Sequence, residues 1–83
     1  MPYRRILAEN LTDFRGFENL SQEEISFRSG ISKETISLIE RERTNVTLDV
    51  LERLASYTGL TIPELLTDKF VKNKCLAVTR YGR

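Results

Sequence analysis

The chain has 83 residues, of which 40% are apolar and 30% are charged, and its formal net charge is +1. This size and composition fit one small globular domain and exclude a wholly disordered chain. The nearly balanced charge excludes a uniformly basic surface, so any patch that binds nucleic acid must be local.

The first predicted helix covers residues 2–15. Its apolar residues follow the spacing i, i+3, i+4, i+8 that gives one buried stripe on a helix. These residues are Tyr3, Ile6, Leu7, Leu11 and Phe14. Gly16 weakens the end of this helix, and Asn19, which tolerates left-handed dihedral angles, is expected in the turn that follows.

Residues 20–40 contain the start and stop signals of two short helices. Ser21 followed by Glu24 is a capping box, so the first of these helices should begin at Gln22. It should end at Gly30, because glycine adopts a left-handed C-cap at the least cost.

The second short helix is capped by Ser32. Ile36 and Ile39 fall on one face of it, so the polar side chains at its start stay outside the core. Two helices of this length joined by a glycine turn are typical of a helix-turn-helix, which puts its second helix in a DNA major groove. We therefore predict a helix-turn-helix over residues 21–41, with residues 33–41 as the recognition helix.

Two further helices follow a polar loop. Thr47 can cap a fourth helix over residues 48–58, and Gly59 should end it. Thr61 and Glu64 form a second capping box, which predicts a short fifth helix.

The pattern after the fifth helix is less regular. Phe70 and Val71 could extend that helix, whereas residues 75–81 have the β-branched and aromatic content of a strand. The strand could pair with its copy in a second subunit, or the segment could be a loose tail, and the sequence leaves both open. We divide the chain here into a DNA-binding domain, residues 1–67, and a C-terminal extension, residues 68–83.

Five segments of the chain match a known pattern in order and in spacing. They are LSQEEI (20–25), SGIS (29–32), ISLIER (36–41), TLDVLERLA (47–55) and TGLTIPELL (58–66). Over most of its length the chain thus resembles the Cro/repressor-type (XRE) helix-turn-helix family. The loop RTNVT (43–47) is similar to that of restriction-modification controller proteins. The resemblance implies an all-α, five-helix, lambda-repressor-like DNA-binding domain with a short C-terminal extension.

Two residues depart from the family pattern in the loop after the recognition helix. Glu42 stands where the family usually has glycine, so we expect a strained or reshaped turn. Val46 replaces the usual proline, which makes the loop less rigid.

The resemblance places the base-reading side chains at the start of the recognition helix. Lys33 can donate to guanine, Glu34 can accept from a cytosine amino group, and Thr35 offers a hydroxyl or a methyl group. Ser37 completes the set. The alternative is an ordinary solvated helix face.

Phosphate contacts are expected on either side of that helix. Gln22 lies at the N-terminus of the preceding helix, where free backbone N–H groups favour an anion. Four residues lie near the groove edges, where a cationic or amide side chain would meet phosphate: Arg41, Arg43, Thr44 and Asn45. Arg43 and Asn45 are favoured, because the loop after the recognition helix faces the DNA backbone in the family. The alternative is that Glu40 and Glu42 partly neutralise the arginines.

The resemblance assigns Arg15 and Glu40 to a buried ion pair rather than to DNA contact. A homodimer is expected as well, since one recognition helix buries too little surface to select an operator. The apolar residues expected at the dimer interface are Ile62, Leu65, Leu66, Phe70 and Val71.

The functional prediction is a sequence-specific transcriptional regulator that binds a double-stranded DNA operator as a homodimer. We expect no cofactor, metal, membrane or small-molecule ligand, and an enzyme is disfavoured because the chain has no histidine, no P-loop and no G-x-G-x-x-G motif. Cys75, the sole cysteine, cannot form an internal disulfide, and no signal-peptide pattern is present, so we expect the cytoplasm. The alternative is an antitoxin-type module that binds a partner protein through its C-terminal tail.

Overall fold

The computed structural model describes residues 2–74 of the chain. Over this range the structure is all-helical, which confirms the predicted fold class, and none of the described helices is long and apolar enough to cross a membrane. The predicted strand at residues 75–81, with Cys75, lies outside the described residues. In chain order the helices are α1 (Tyr3–Phe17), α2 (Gln22–Ser29), α3 (Lys33–Glu40), α4 (Leu48–Thr58) and α5 (Ile62–Leu65), and residues 70–74 are again helical.

Side-chain caps begin four of the five helices at the residues predicted from the sequence. Each cap hydroxyl accepts a hydrogen bond from the backbone N–H three residues later, at 3.0 to 3.2 Å. The cap residues are Ser21, Ser32, Thr47 and Thr61. In both capping boxes the glutamate accepts from the backbone of the cap residue, Glu24 at 2.8 Å and Glu64 at 2.9 Å. The bond from the Ser21 N–H lowers the pKa of Glu24, because it favours the carboxylate.

The end of α1 differs slightly from the prediction. The helix continues through Gly16 to Phe17, two residues beyond its predicted last residue. Asn19, at φ 57°, then makes the left-handed turn expected of it, and its N–H donates to the Gly16 carbonyl at 3.2 Å. Glycine in the last turn therefore does not end α1.

One apolar core joins all five helices. Its buried residues are Leu7, Leu11, Ile25, Ile31, Ile36, Ile39, Leu51, Leu54, Leu60, Leu65 and Val71. The prediction that Tyr3 belongs to the buried stripe of α1 is wrong, since Tyr3 is the first residue of the helix and is 48% exposed.

A buried asparagine attaches the segment after α5 to α1. Asn10 is fully buried, and its Nδ2 donates to the carbonyls of Leu65 at 2.8 Å and Thr67 at 2.9 Å. Its Oδ1 accepts from the N–H of Val71 at 3.2 Å. Phe70 and Val71 therefore do not extend α5, because the chain turns at Lys69, which has φ 58°, and comes back onto α1.

Candidate DNA-binding face

Hydrogen bonds in the turn between α2 and α3 fix how the two helices meet. The Ser26 hydroxyl donates to the carbonyl of Ile31, and the N–H of Ile31 donates to Ser29 Oγ at 3.2 Å. Ile25 and Ile36 are both fully buried, one on each helix. The pair therefore packs as one unit, which holds the start of α3 in a defined place.

The start of α3 carries the four predicted base-reading residues. Lys33 and Glu34 are exposed, while Thr35 and Ser37 are half-buried. The hydroxyls of Ser32 and Thr35 are 2.8 Å apart, so Thr35 Oγ1 is partly occupied by the cap. Among the described residues, no carboxylate lies within 4.0 Å of the Lys33 ammonium group, which leaves this cation free for a ligand.

The carboxylate of Glu40 holds three helices together. Arg15 donates to it twice, from Nε at 2.8 Å and from Nη2 at 2.9 Å, and Gln22 Nε2 donates at 2.9 Å. The Glu40 side chain is 8% exposed and the Arg15 side chain 25%. The hydrogen bonds that Arg15 donates to the Glu40 carboxylate raise the pKa of Arg15 above its already high ordinary value. Arg15 also donates to the carbonyl of Leu20 at 3.1 Å, so the pair clamps α1, the start of α2 and the end of α3.

Gln22 lies at the predicted phosphate-binding position, in the first turn of α2. Sequence reasoning did not find its bond to Glu40, which uses one amide hydrogen and leaves the second available. The free N–H groups of this helix end lie beside it. The bond thus fixes the direction of the Gln22 amide before any ligand binds.

The loop after α3 carries the remaining predicted phosphate contacts. Arg41 and Arg43 are exposed, and Thr44 is half-buried. Asn45 accepts a hydrogen bond from the guanidinium of Arg4, which ties the loop to the start of α1. Sequence reasoning missed Arg4, because no local signal connects residues separated by 41 positions.

The turn that leads into this loop contains a strained residue. Glu42 has φ 60°, and its N–H donates to the carbonyl of Ile39 at 3.0 Å. The N–H of Arg43 donates to the carbonyl of Leu38 at 2.9 Å. These two bonds make a Schellman C-cap, whose left-handed residue is usually glycine. The departure noted in the sequence therefore has the strained geometry that we expected.

The five apolar residues predicted at a dimer interface fall into two groups. Leu65 and Val71 are 1% and 3% exposed and belong to the subunit's own core. Ile62, Leu66 and Phe70 pack against that core but are only half-buried. Only the second group can meet a partner without opening the core.

Comparisons of the sequence with known proteins agree with this geometry. A family model described as helix-turn-helix matches residues 18–65. Control protein C.SmaI of Serratia marcescens is 40% identical over 74 residues, which cover 89% of this chain and 88% of that protein. An HTH-type transcriptional regulator of Sinorhizobium fredii is 37% identical over 67 residues, which cover 81% of this chain and 87% of that protein.

A solved structure is similar over most of both chains. It is the crystal structure of a hypothetical transcription factor from Neisseria, with a TM-score of 0.76 and 32% identity. The match covers 88% of this chain and 84% of the Neisseria chain, so it includes the segments on both sides of the α2–α3 pair.

Proposed function

Because this chain belongs to the Cro/repressor-type (XRE) helix-turn-helix family of DNA-binding transcriptional regulators, we propose that it binds a double-stranded operator as a homodimer, with α3 in the major groove. The observation that carries this proposal is the division of α3, whose Ile36 and Ile39 anchor it in the core while Lys33 and Glu34 stay exposed. The identity to a control protein over nearly the whole of both chains supports the controller branch of the family.

Base reading is assigned to the exposed start of α3. Lys33 donates to the O6 and N7 atoms of a guanine, and Glu34 accepts from a cytosine amino group. Thr35 offers a methyl or a hydroxyl group and Ser37 a hydroxyl group, and both side chains are half-buried. The unpaired state of Lys33 among the described residues supports its role, since it has no internal partner to give up.

Phosphate binding is assigned to both ends of the α2–α3 unit. Gln22 and the free N–H groups of α2 hold one phosphate, because the N-terminus of a helix favours an anion. At the other end of the unit, the exposed guanidinium groups of Arg41 and Arg43 bind a second phosphate. Thr44 and Asn45 donate hydrogen bonds to the DNA backbone from the loop. These contacts place the protein on the duplex, whereas those of α3 choose the sequence.

The two kinds of contact predict different results for two alanine variants. The wild-type protein first selects a duplex from a random pool. The binding of the wild type and of each variant is then measured as a function of salt concentration. Lys33→Ala should lose about 1–3 kcal/mol of discrimination at one base pair, because the bidentate contact is gone. Arg43→Ala should weaken all sequences alike and lower the slope of log K against log salt by about one.

The control is Lys72→Ala, which removes the same charge from an exposed position of residues 70–74. It should change neither the preferred sequence nor the salt slope. If Lys33→Ala and Arg43→Ala also bind like the wild type, the assigned face is wrong even though the family is right.

Homodimer formation is assigned to Ile62, Leu66 and Phe70, the predicted interface residues that the subunit's own core does not bury. These three residues are apolar and half-buried, on α5 and on the segment that follows it. Leu65 and Val71 belong to the subunit's own core instead. The two recognition helices of such a dimer read half-sites about 34 Å apart, or a multiple of that distance.

An aspartate substitution tests this interface. Ile62→Asp should convert a sedimenting dimer into a monomer at micromolar concentration and weaken binding to a two-site operator by about a hundredfold, because avidity is lost. Circular dichroism checks that the variant still folds. Leu48→Asp, at a residue that is 73% exposed on α4, is the matched comparison. If Leu48→Asp is the monomeric variant, the interface lies at the start of α4 instead.

Whether the protein represses or activates follows from where the operator lies relative to a promoter.

The alternative function, an antitoxin-type module, depends on the C-terminal tail, of which residues 75–83 lie outside the described part of the chain. Co-purification of a bound protein partner would be the observation in its favour.

A further inference from the structure

Glu42 is an unfavourable residue for its position in two independent respects. Its backbone has φ 60°, a left-handed conformation that glycine adopts freely and asparagine tolerates but that costs glutamate free energy. Its carboxylate also sits just after the C-terminus of α3, where the partial charge of the helix is already negative. Folding alone would therefore favour glycine, or a cation, over glutamate here.

Among the described residues, no cation neutralises the charge of Glu42. The side chain is exposed, and within residues 2–74 no lysine or arginine nitrogen lies within 4.0 Å of its carboxylate. Glu40, two residues earlier, differs, because Arg15 neutralises it. The negative charge of Glu42 is therefore presented to whatever approaches this loop.

The neighbours of Glu42 are the cations that face DNA in the proposed function. Arg41 and Arg43 flank it and are both exposed. A carboxylate between two phosphate-binding guanidinium groups repels the same phosphates that they attract. It thus reduces the electrostatic, sequence-independent part of the binding free energy, which dominates binding to non-operator DNA.

We propose that Glu42 is an affinity-limiting residue: its carboxylate lowers the affinity of this protein for DNA of any sequence. The proposal rests on the proposed function, since it requires that the loop face DNA. A genome offers about 10⁶–10⁹ competing sites, so a lower general affinity leaves more protein free to find its operator. The strained backbone is then retained for the sake of the charge.

The test separates the charge from the backbone with two substitutions. Glu42→Gln removes the charge but keeps a side chain at φ 60°, whereas Glu42→Gly removes both. The matched control is Glu52→Gln, which makes the same charge change at an exposed position of α4. Binding is measured by fluorescence anisotropy on the duplex selected from the random pool and on a scrambled duplex of equal composition, at several salt concentrations.

We expect Glu42→Gln to tighten binding to both duplexes by about three- to tenfold at low salt. The gain should shrink as salt rises, because exposed charges are screened. Glu52→Gln should change binding by much less. Glu42→Gly should bind as tightly as Glu42→Gln, and its melting temperature should rise by about 5 °C because the backbone strain is relieved.

Two results would overturn the proposal. If Glu42→Gln binds both duplexes as the wild type or Glu52→Gln does, the carboxylate does not limit affinity. If Glu42→Gln binds the selected duplex more weakly, Glu42 is itself a contact with DNA. A wild-type protein that selects no duplex from the random pool would instead refute the proposed function, so the two failures are distinguishable.

Discussion

Replacement of Asn10 by leucine should lower the melting temperature by about 15–30 °C, which corresponds to roughly 4 kcal/mol. Leucine has nearly the shape of asparagine but cannot replace its three hydrogen bonds. The carbonyls of Leu65 and Thr67 would lose their donor, and the N–H of Val71 its acceptor. Each polar group left buried without a partner costs about 1–3 kcal/mol.

The measurement combines thermal unfolding with hydrogen exchange at the Val71 amide, which reports directly on the bond to Asn10. Asn73→Leu is the control, because Asn73 is exposed and the same chemical change there should have little effect. Asn10→Asp is a second variant of equal shape that keeps the acceptor but, when ionised, loses both donors. It should also be strongly destabilised. A melting temperature within a few degrees of the wild type, with unchanged protection at Val71, would show that Asn10 does not hold the segment after α5 onto α1.

Removal of Arg15 should have the second largest effect, about 3 kcal/mol of the free energy of unfolding. Arg15→Ala leaves the Glu40 carboxylate, which is 8% exposed, with the Gln22 amide as its remaining partner. The expected loss lies at the low end for a broken buried pair, because Arg15 keeps a quarter of its side chain in solvent. The melting temperature should fall by about 12–24 °C.

Two further variants sharpen this test. Replacing both Arg15 and Glu40 by methionine should restore much of the lost stability, because the unpaired charge disappears. Arg5→Ala breaks a surface pair with Glu9 and Asp68, in which all the side chains are at least 43% exposed. It should leave the melting temperature nearly unchanged. If Arg5→Ala is as damaging as Arg15→Ala, burial is not what makes the Arg15 pair strong.

The parts of the fold that the sequence predicted well depend on short-range chemistry. Ser21 and Thr61 each cap a helix through an N–H only three residues away, and Gly30 and Gly59 take left-handed conformations where their helices end. Such signals involve residues within a single helical turn of one another. Helix starts and stops could therefore be predicted without knowledge of the tertiary structure.

The omissions involve residues whose partners are far away in sequence. Asn10 occupies position i+7 of the apolar stripe that begins at Tyr3, and this interruption was the one available signal. Its partners lie 55 to 61 residues later, beyond any local pattern. The bond between Arg4 and Asn45 was hidden for the same reason.

The candidate site shows the same division. The exposed start of α3 follows from its cap and from the spacing of Ile36 and Ile39, so it could be predicted. The bond from Gln22 to Glu40 could not, because it depends on how α2 crosses α3. The strained turn at Glu42 was predictable only through the family resemblance, since propensity alone would not place glutamate there.

The split character of α3 has an evolutionary consequence. Lys33 and Glu34 make no contribution to the buried core, while Ile36 and Ile39 are 0% and 2% exposed. Under the proposed function, mutations at the first pair alter operator preference with almost no loss of folding stability, whereas mutations at the second pair would unfold the scaffold. Descendants of such a chain can then acquire new binding sequences one substitution at a time, while selection keeps the buried core constant.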